Sequence, residues 1–403
     1  MGVYDALPPR MLRNALVRLH RWAGLVMAAF LLVVGLTGSA LVFWQELNEW
    51  LAPSLYPGLR AGTPLSAAAL AEHAEAIEPA IRATTVYLGY PGTVWVGVEP
   101  RPGGPPVDYD YIYLDPLTGA ELGRVRWGAW PTSFATVMPF IYELHETLVL
   151  GAAGERILGL VALLWTVDCF VAFVLTLPRS SPSSTRSWLA RWRPAWLVKL
   201  GAPPFRLTYD LHRAGGLWPW AMMLVFAWSS VFLNLGDVYT AVTSRMLDYA
   251  PSPAGMTRSV DAGAPAEPMP WAAAQATGER LMAAQEYGQG FTAQQPMALY
   301  LLRSRGLYEY RVRSTRDITD KYGSTSVYFD AATGALQLVR LPTGQRAGNT
   351  LTTWLLALHM ANVFGWPVRL FVSLAGVVLA MLSVTGVVIW WMKRQARRVH
   401  RLA

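Results

Sequence analysis

Val17-Arg18-Leu19-His20-Arg21-Trp22-Ala23-Gly24 stands at the entrance to a long apolar run, and the chain repeats the arrangement. Asp210-Leu211-His212-Arg213-Ala214-Gly215-Gly216-Leu217 opens another one, again Leu-His-Arg followed by small residues and apolar sequence. A second signature recurs too: Leu144-His145 with Gly151 six positions after the histidine, and Leu358-His359 with Gly365 at the same spacing. Four of the six histidines therefore occupy two pairs of equivalent positions, each beside a stretch of membrane length. The chain reads as a tandem duplication of one plan: span, external unit, histidine segment, span.

Composition agrees. Only 15% of the 403 residues are charged and 53% are hydrophobic, which places the chain among membrane proteins. The single Cys169 excludes a disulfide framework, a zinc site of several cysteines and an all-cysteine iron–sulfur cluster. Inside an apolar run it reads as a small hydrophobic packer. Four spanning segments are expected at 22–44, 157–177, 217–235 and 366–391. About 20 residues at about 1.5 Å each cover a hydrocarbon core of about 30 Å. The net charge of +8 is no signal for nucleic acid, because the basic residues cluster beside these segments. Arg10, Arg13, Arg18 and Arg21 precede the first span. Arg179, Arg186, Arg191, Arg193, Lys199 and Arg206 fill the middle loop, and Lys393, Arg394, Arg397, Arg398 and Arg401 end the chain. Those three segments belong in the cytoplasm. The loop after the first span is acidic, with Glu72, Glu75, Glu78, Asp108, Asp110 and Asp115. Both large loops are then periplasmic in a bacterial inner membrane.

The divisions fall at 11–44 (first span), 45–140 (first external unit), 141–177 (histidine helix and second span) and 178–208 (basic loop). The second half follows with 209–235, 236–349, 350–392 and a basic tail, 393–403. Each external unit reads as a small α+β fold. In the first, Thr63 and Pro64 open a helix over 63–78, followed by strands at 84–88, 94–98, 108–114 and 120–127. In the second, a helix over 271–284 precedes strands at 298–303, 308–313, 325–329 and 335–341. The turns Asp115-Pro116-Leu117-Thr118-Gly119 and Asp330-Ala331-Ala332-Thr333-Gly334 match, and the Pro/Ala/Gly-rich 251–270 reads as a surface linker.

A lone histidine at a membrane boundary is ordinarily a solvated or hydrogen-bonded side chain. Duplication changes that reading, because it sets His20 beside His212 and His145 beside His359. Two facing imidazoles supply both axial positions of one haem iron. With no Cys-x-x-Cys-His sequence, any haem is held non-covalently. Two bis-histidine b-type haems, one near each face, would carry electrons across the bilayer. Arg18, Arg21 and Arg213 stand ready for haem propionates, or serve only as topology anchors. Gly24, Gly215 and Gly216 would let a porphyrin approach the backbone. A closed zinc site lacks ligands, and a proton path would want carboxylates at depth, where only Asp168 lies. Trp44, Trp127, Trp390 and Trp391 read as an interfacial belt. His73 and His400 have no repeat partners and no assigned role. No nucleotide or flavin fingerprint is present, so electrons must come from a quinol or a separate cytoplasmic reductase.

Leu19-His20-Arg21-Trp22 with Leu36-Thr37-Gly38, the Asp115-x-x-Thr118-Gly119 hairpins and Leu144-His145 with Gly151 resemble the PepSY-associated transmembrane helix family, from about Arg13 to Trp391. The third span departs, with Asn234-Leu235-Gly236 in place of Leu-Thr-Gly. The resemblance implies an α-helical membrane protein with four transmembrane helices and two PepSY-like periplasmic units. It also implies a di-haem reductase that converts siderophore-bound iron(III) to iron(II) in the periplasm, with His20, His145, His212 and His359 as ligands. Arg124, Arg126, Trp127 and Tyr142 are candidates for docking the ferric siderophore. Competing expectations are a haem-free PepSY-type regulatory protein, a di-haem conduit to another periplasmic acceptor and, last, a transporter.

Overall fold

The computed structural model describes residues 9–179, 185–251 and 267–402. In chain order its helices are α1 (Pro9–Leu41), α2 (Trp44–Leu51), α3 (Ala67–Ile77), α4 (Val137–Thr147), α5 (Ala152–Thr176) and α6 (Trp188–Trp192). The second half adds α7 (Pro204–Leu217), α8 (Trp220–Asn234), α9 (Gly236–Thr243), α10 (Trp271–Gln289), α11 (Ala347–His359) and α12 (Gly365–Leu402). Contacts divide the chain into two units that alternate along the sequence. One comprises Met1–Val42, Leu144–Ala241 and Trp366–Ala403, the other Phe43–Glu143 and Val242–Gly365.

The first unit is helical and belongs in a membrane. Among the described residues three stretches are long and apolar enough to cross one: Met11–Leu41 in α1, Ala152–Thr176 in α5 and Gly365–Arg398 in α12. Helices α7 and α8 reach that length only as a pair, bent by 66° where they meet. The span expected at 217–235 falls on α8, which is 15 residues long, so a crossing there draws on the bent pair. Pro219 has no N–H to continue the ladder and its ring crowds the preceding turn, so the apolar helix starts at Trp220 and His212 rides on a separate segment. Elsewhere small residues set the packing. A Cβ on Gly35 would lie 2.7 Å from the Gly376 carbonyl oxygen, and one on Gly376 would lie 2.6 Å from that of Gly35. Ser39 Oγ donates to the Ser373 carbonyl at 2.9 Å, and Ser373 Oγ donates back to Ser39 at 3.2 Å. Backbone approach plus hydrogen bonds, rather than apolar burial, is what joins helices in lipid.

The other unit corrects the expectation of two separate external folds. Strands β1 (Ile81–Tyr87), β2 (Val94–Pro100), β3 (Tyr111–Leu114) and β4 (Glu121–Val125) share one antiparallel sheet with β5 (Ala293–Leu302), β6 (Leu307–Ser314), β7 (Thr325–Asp330) and β8 (Leu336–Arg340). The order is β4-β3-β2-β1-β5-β6-β7-β8. Each four-stranded half alone would leave β1 or β5 as an open edge, and pairing them removes both edges. The seam pairs Thr85 with Tyr300, Val86 with Leu299 and Tyr87 with Ala298. Helices α3 and α10 cover one face of the sheet, where Leu70, Val86, Val96, Ile112, Leu299 and Phe329 are among the fully buried side chains.

Local details follow the sequence with two adjustments. Helix α3 begins three residues after the expected Pro64, because Ser66 is the cap: its Oγ accepts from the Ala69 N–H at 3.1 Å. Helix α10 runs on to Gln289 and stops at Gly290 in the left-handed conformation. The two hairpin turns share one geometry. Asp115 Oδ1 accepts from the N–H groups of Leu117 and Thr118, Asp330 Oδ1 accepts from those of Ala332 and Thr333, and Gly119 and Gly334 have φ of 72° and 73°. The linker expected at 251–270 lies mostly outside the described residues, as do the side chains of Arg10, His400 and Arg401. Between histidine helix and span, Leu148, Val149, Ala361 and Phe364 all have positive φ. Such backbone is strained for residues with a Cβ, and both breaks carry it.

Candidate redox centre of the helical unit

Histidine 20 lies on α1 and His212 on α7, and their ring centres stand 6.0 Å apart with planes inclined by 57°. Two imidazoles on one metal ion stand about 6 Å apart, since each ligand nitrogen lies about 2 Å from the metal and each ring adds its own radius. The outer nitrogens are already engaged. His20 Nδ1 is 3.0 Å from both carboxylate oxygens of Asp168 on α5, and that aspartate side chain is 8% exposed. His212 Nδ1 is 3.0 Å from Thr385 Oγ1 on α12. Thr385 Oγ1 donates its own proton to the Met381 carbonyl at 2.7 Å, so toward the imidazole its oxygen accepts. A carboxylate acts only as an acceptor as well. Both rings therefore donate from Nδ1, and in the neutral form of each imidazole Nε2 carries the lone pair a metal requires.

His145 repeats this logic in the same unit. Its Nδ1 is 3.0 Å from Thr37 Oγ1, whose proton goes to the Val33 carbonyl at 2.8 Å. Burial holds this imidazole at about 4, below its ordinary value, so the ring is neutral at physiological pH. Threonine and glycine act together at these sites. A Cβ on Gly38 would meet His145 Cε1 at 2.9 Å, and one on Gly386 would meet His212 Cε1 at 3.2 Å. Each hydroxyl fixes the tautomer while the adjacent glycine lets the ring lie against the helix. His359 ends α11 and belongs to the other unit.

The surroundings of the His20–His212 pair suit a large flat apolar group. Gly24 and Gly216 each stand four residues after their histidine, on the same helix face. A Cβ on Gly24 would have nothing within 4 Å, and one on Gly216 would meet only Leu382 methyls, at 3.7 Å or more. Gly215 has a different use, since its Cβ would strike Met381 at 2.6 Å; it allows helices to pack. Among the described residues no three of His, Cys, Asp and Glu converge, so the pair offers two nitrogens and no closed metal cage.

The remaining sequence candidates fall elsewhere. Arg213 donates to Asp210 at 2.8 Å and to the Pro194 carbonyl, and Arg206 donates to the other oxygen of the buried Asp210 at 2.8 Å. These contacts make Arg213 an anchor of α7. Arg18 is exposed and Arg21 half-buried, both on α1 within a turn of His20. Trp44 and Trp127, expected in the interfacial belt, pack within the sheet unit: Trp127 is 5.6 Å from Trp44 and 5.0 Å from Tyr142 between ring centres. Arg124 is bound to Glu121 and Glu78 and lies over Tyr109, whereas Arg126 is exposed. His73 packs against Gly119, whose Cβ would come within 2.9 Å of its ring. Cys169 is buried and its carbonyl accepts from Trp220 Nε1 at 2.8 Å.

Sequence reasoning missed Asp168 as the partner of His20 and Thr385-Gly386 as the cradle of His212. The signal for the latter was present: Val384-Thr385-Gly386 echoes Leu36-Thr37-Gly38, but on the fourth span rather than the third. The third span is also closer to the pattern than Asn234-Leu235-Gly236 implies. Ser229 stands as far after His212 as Thr37 does after His20, and like Thr37 it donates to a carbonyl four residues back, here Val225 at 2.6 Å. No curated protein matches the chain. The chain does match the family described as PepSY-associated TM region over residues 17–393, and it belongs to that family.

Proposed function

We propose that the protein is a di-haem electron carrier of the bacterial inner membrane that reduces siderophore-bound iron(III) to iron(II) in the periplasm. The observation that carries the haem reading is the His20–His212 pair: two imidazoles 6.0 Å apart, each with Nδ1 held by an acceptor. His20 and His212 would hold one haem, with Arg18 and Arg21 available to its propionates. His145 and His359 are assigned a second haem by the sequence repeat, supported by the Thr37 acceptor on His145. Haem, when bound, supplies a one-electron centre. The chain's own part is to fix the ligand tautomers through Asp168, Thr37 and Thr385 and to leave Gly24 and Gly216 without side chains. With two histidines holding it, such a haem would favour electron transfer over O₂ chemistry.

Electrons would enter from a quinol or a cytoplasmic reductase. The substrate half of the proposal rests on family resemblance and on chemistry. Siderophores bind iron(III) through hard oxygen donors, and reduction weakens that binding. The test is the visible spectrum of detergent-purified protein, oxidised and then dithionite-reduced, with haem quantified per chain. About two b-type haems are expected, and anaerobic addition of a ferric siderophore should reoxidise them. Haem without siderophore-driven reoxidation leaves a conduit to another acceptor; a colourless protein from haem-replete cells leaves a PepSY-type binding protein.

A further inference from the structure

The three histidines of the helical unit whose side chains are described differ in what their Nδ1 faces. His212 and His145 face hydroxyl oxygens, those of Thr385 and Thr37. His20 faces a carboxylate, with both Asp168 oxygens at 3.0 Å. We propose that Asp168 is a positioning residue that makes the His20–His212 centre the more reducing of the two, so that electrons pass outward to the centre held by His145. The inference rests on the haem reading above.

A carboxylate draws the Nδ1 proton toward itself and raises the basicity of Nε2, which favours the oxidised, more positive metal. Its full negative charge acts in the same direction, and in an apolar span that charge is weakly screened. A threonine oxygen that has already given its proton to a carbonyl accepts the same hydrogen bond with neither effect at comparable strength. In the step itself one electron leaves iron(II) at the His20–His212 centre, which becomes iron(III), and iron(III) at the other centre becomes iron(II). No bond is made or broken.

The experiment is a spectroelectrochemical titration of the full-length protein in detergent, as wild type and as His212→Ala, Asp168→Asn and Asp168→Glu. Two midpoints are expected in the wild type, and His212→Ala should remove the lower. Asp168→Asn should raise that lower midpoint by at least tenfold in equilibrium constant, about 59 mV for one electron, while Asp168→Glu stays nearer the wild type. The inference is overturned if His212→Ala removes the higher midpoint, or if Asp168→Asn keeps both haems at unchanged midpoints. Should Asp168→Asn shed that haem, Asp168→Glu decides by whether it retains the low midpoint. Should both shed it, the order of the wild-type midpoints decides alone. A wild-type protein without haem has no midpoint to measure, and that result sinks the haem reading rather than the ordering within it.

Discussion

The two halves of the eight-stranded sheet share a backbone and differ on one face. Trp95 on β2 pairs with Tyr113 on β3, two residues before Asp115; Glu309 on β6 pairs with Tyr328 on β7, two residues before Asp330. By that register Gly97 corresponds to Arg311 and Tyr111 to Ser326. The first half therefore presents Trp95, Tyr111 and Tyr113, which pack with Trp44, Tyr90 and Trp127. The second presents a polar set in which Glu309 takes the Arg311 guanidinium at 2.7 Å and the Ser326 hydroxyl at 2.7 Å, and Arg311 lies over Tyr300. The face covered by α3 and α10 stayed apolar in both: Val94 and Tyr308, Val96 and Tyr310, Ile112 and Val327, Leu114 and Phe329. The side of the sheet that buries area against helices is thus alike in the two halves, and the other side differs.

The comparison breaks most sharply on the shared face. Phe329→Ala should cost about 3–5 kcal/mol and Leu114→Ala about 2–5 kcal/mol, each read as a fall in the unfolding midpoint of the detergent-solubilised protein. Because β1 and β5 join the halves, each substitution should lower one common transition. Two transitions, only one of them shifted, would show that the halves fold separately.

On the diverged face, Glu309→Ala strands Arg311 and leaves the Ser326 hydroxyl short of its acceptor. The loss should be about 2–3 kcal/mol. It falls below that of a wholly buried pair because 29% of the Arg311 side chain is exposed. Glu309→Gln, which keeps an acceptor for Ser326, should recover part of that loss in the same measurement.

A smaller effect tests whether the helical unit repeats one device. Thr37→Val and Thr385→Val keep shape and remove one acceptor each, from His145 and His212 respectively. Each should cost about 0.5–1.5 kcal/mol and loosen one histidine, which under the proposed function is read as reduced haem retention during dialysis. Equal losses would make the two threonines counterparts. A loss from only one would show that the hydroxyls are not equivalent despite their matching geometry.

What was legible in the sequence was local. The strands, the Asp–Gly turns and the histidine-bearing helices follow from periodicity and turn chemistry, and the recurrence of each motif made each reading twice checkable. The β1–β5 seam was not legible, because edge pairing between strands hundreds of positions apart leaves no local signature. The bend at Pro219 was legible in kind, since a proline so near the start of an apolar run argues for a break there, although the run alone reads as one span. The His20–Asp168 contact joins residues 148 apart; sequence marked Asp168 as a lone carboxylate at depth and could not say what it faced. The threonines mislead in a more specific way. Repetition directs attention to the equivalent helix, whereas packing gives His145 the hydroxyl of α1 and His212 the hydroxyl of α12.

The smallest effect is expected at the centre of the aromatic half. Trp95 lies 5.4 Å from Tyr87, 5.7 Å from both Tyr90 and Tyr113, and 5.9 Å from Trp127 between ring centres. Its Nε1–H is nonetheless buried without an acceptor. Trp95→Phe removes apolar contact, which costs stability, and also removes an unsatisfied donor, which returns about 1–3 kcal/mol. The two terms oppose, so the net change should stay within about 1 kcal/mol, a shift of a few degrees at most in the unfolding midpoint. Glu309, at the same register, shows the opposite balance, because its polar atoms are matched and its removal leaves a charge behind. If Trp95→Phe proved as damaging as Glu309→Ala, the indole N–H would have to be serving an acceptor, and the aromatic half would be as strictly matched as the polar one.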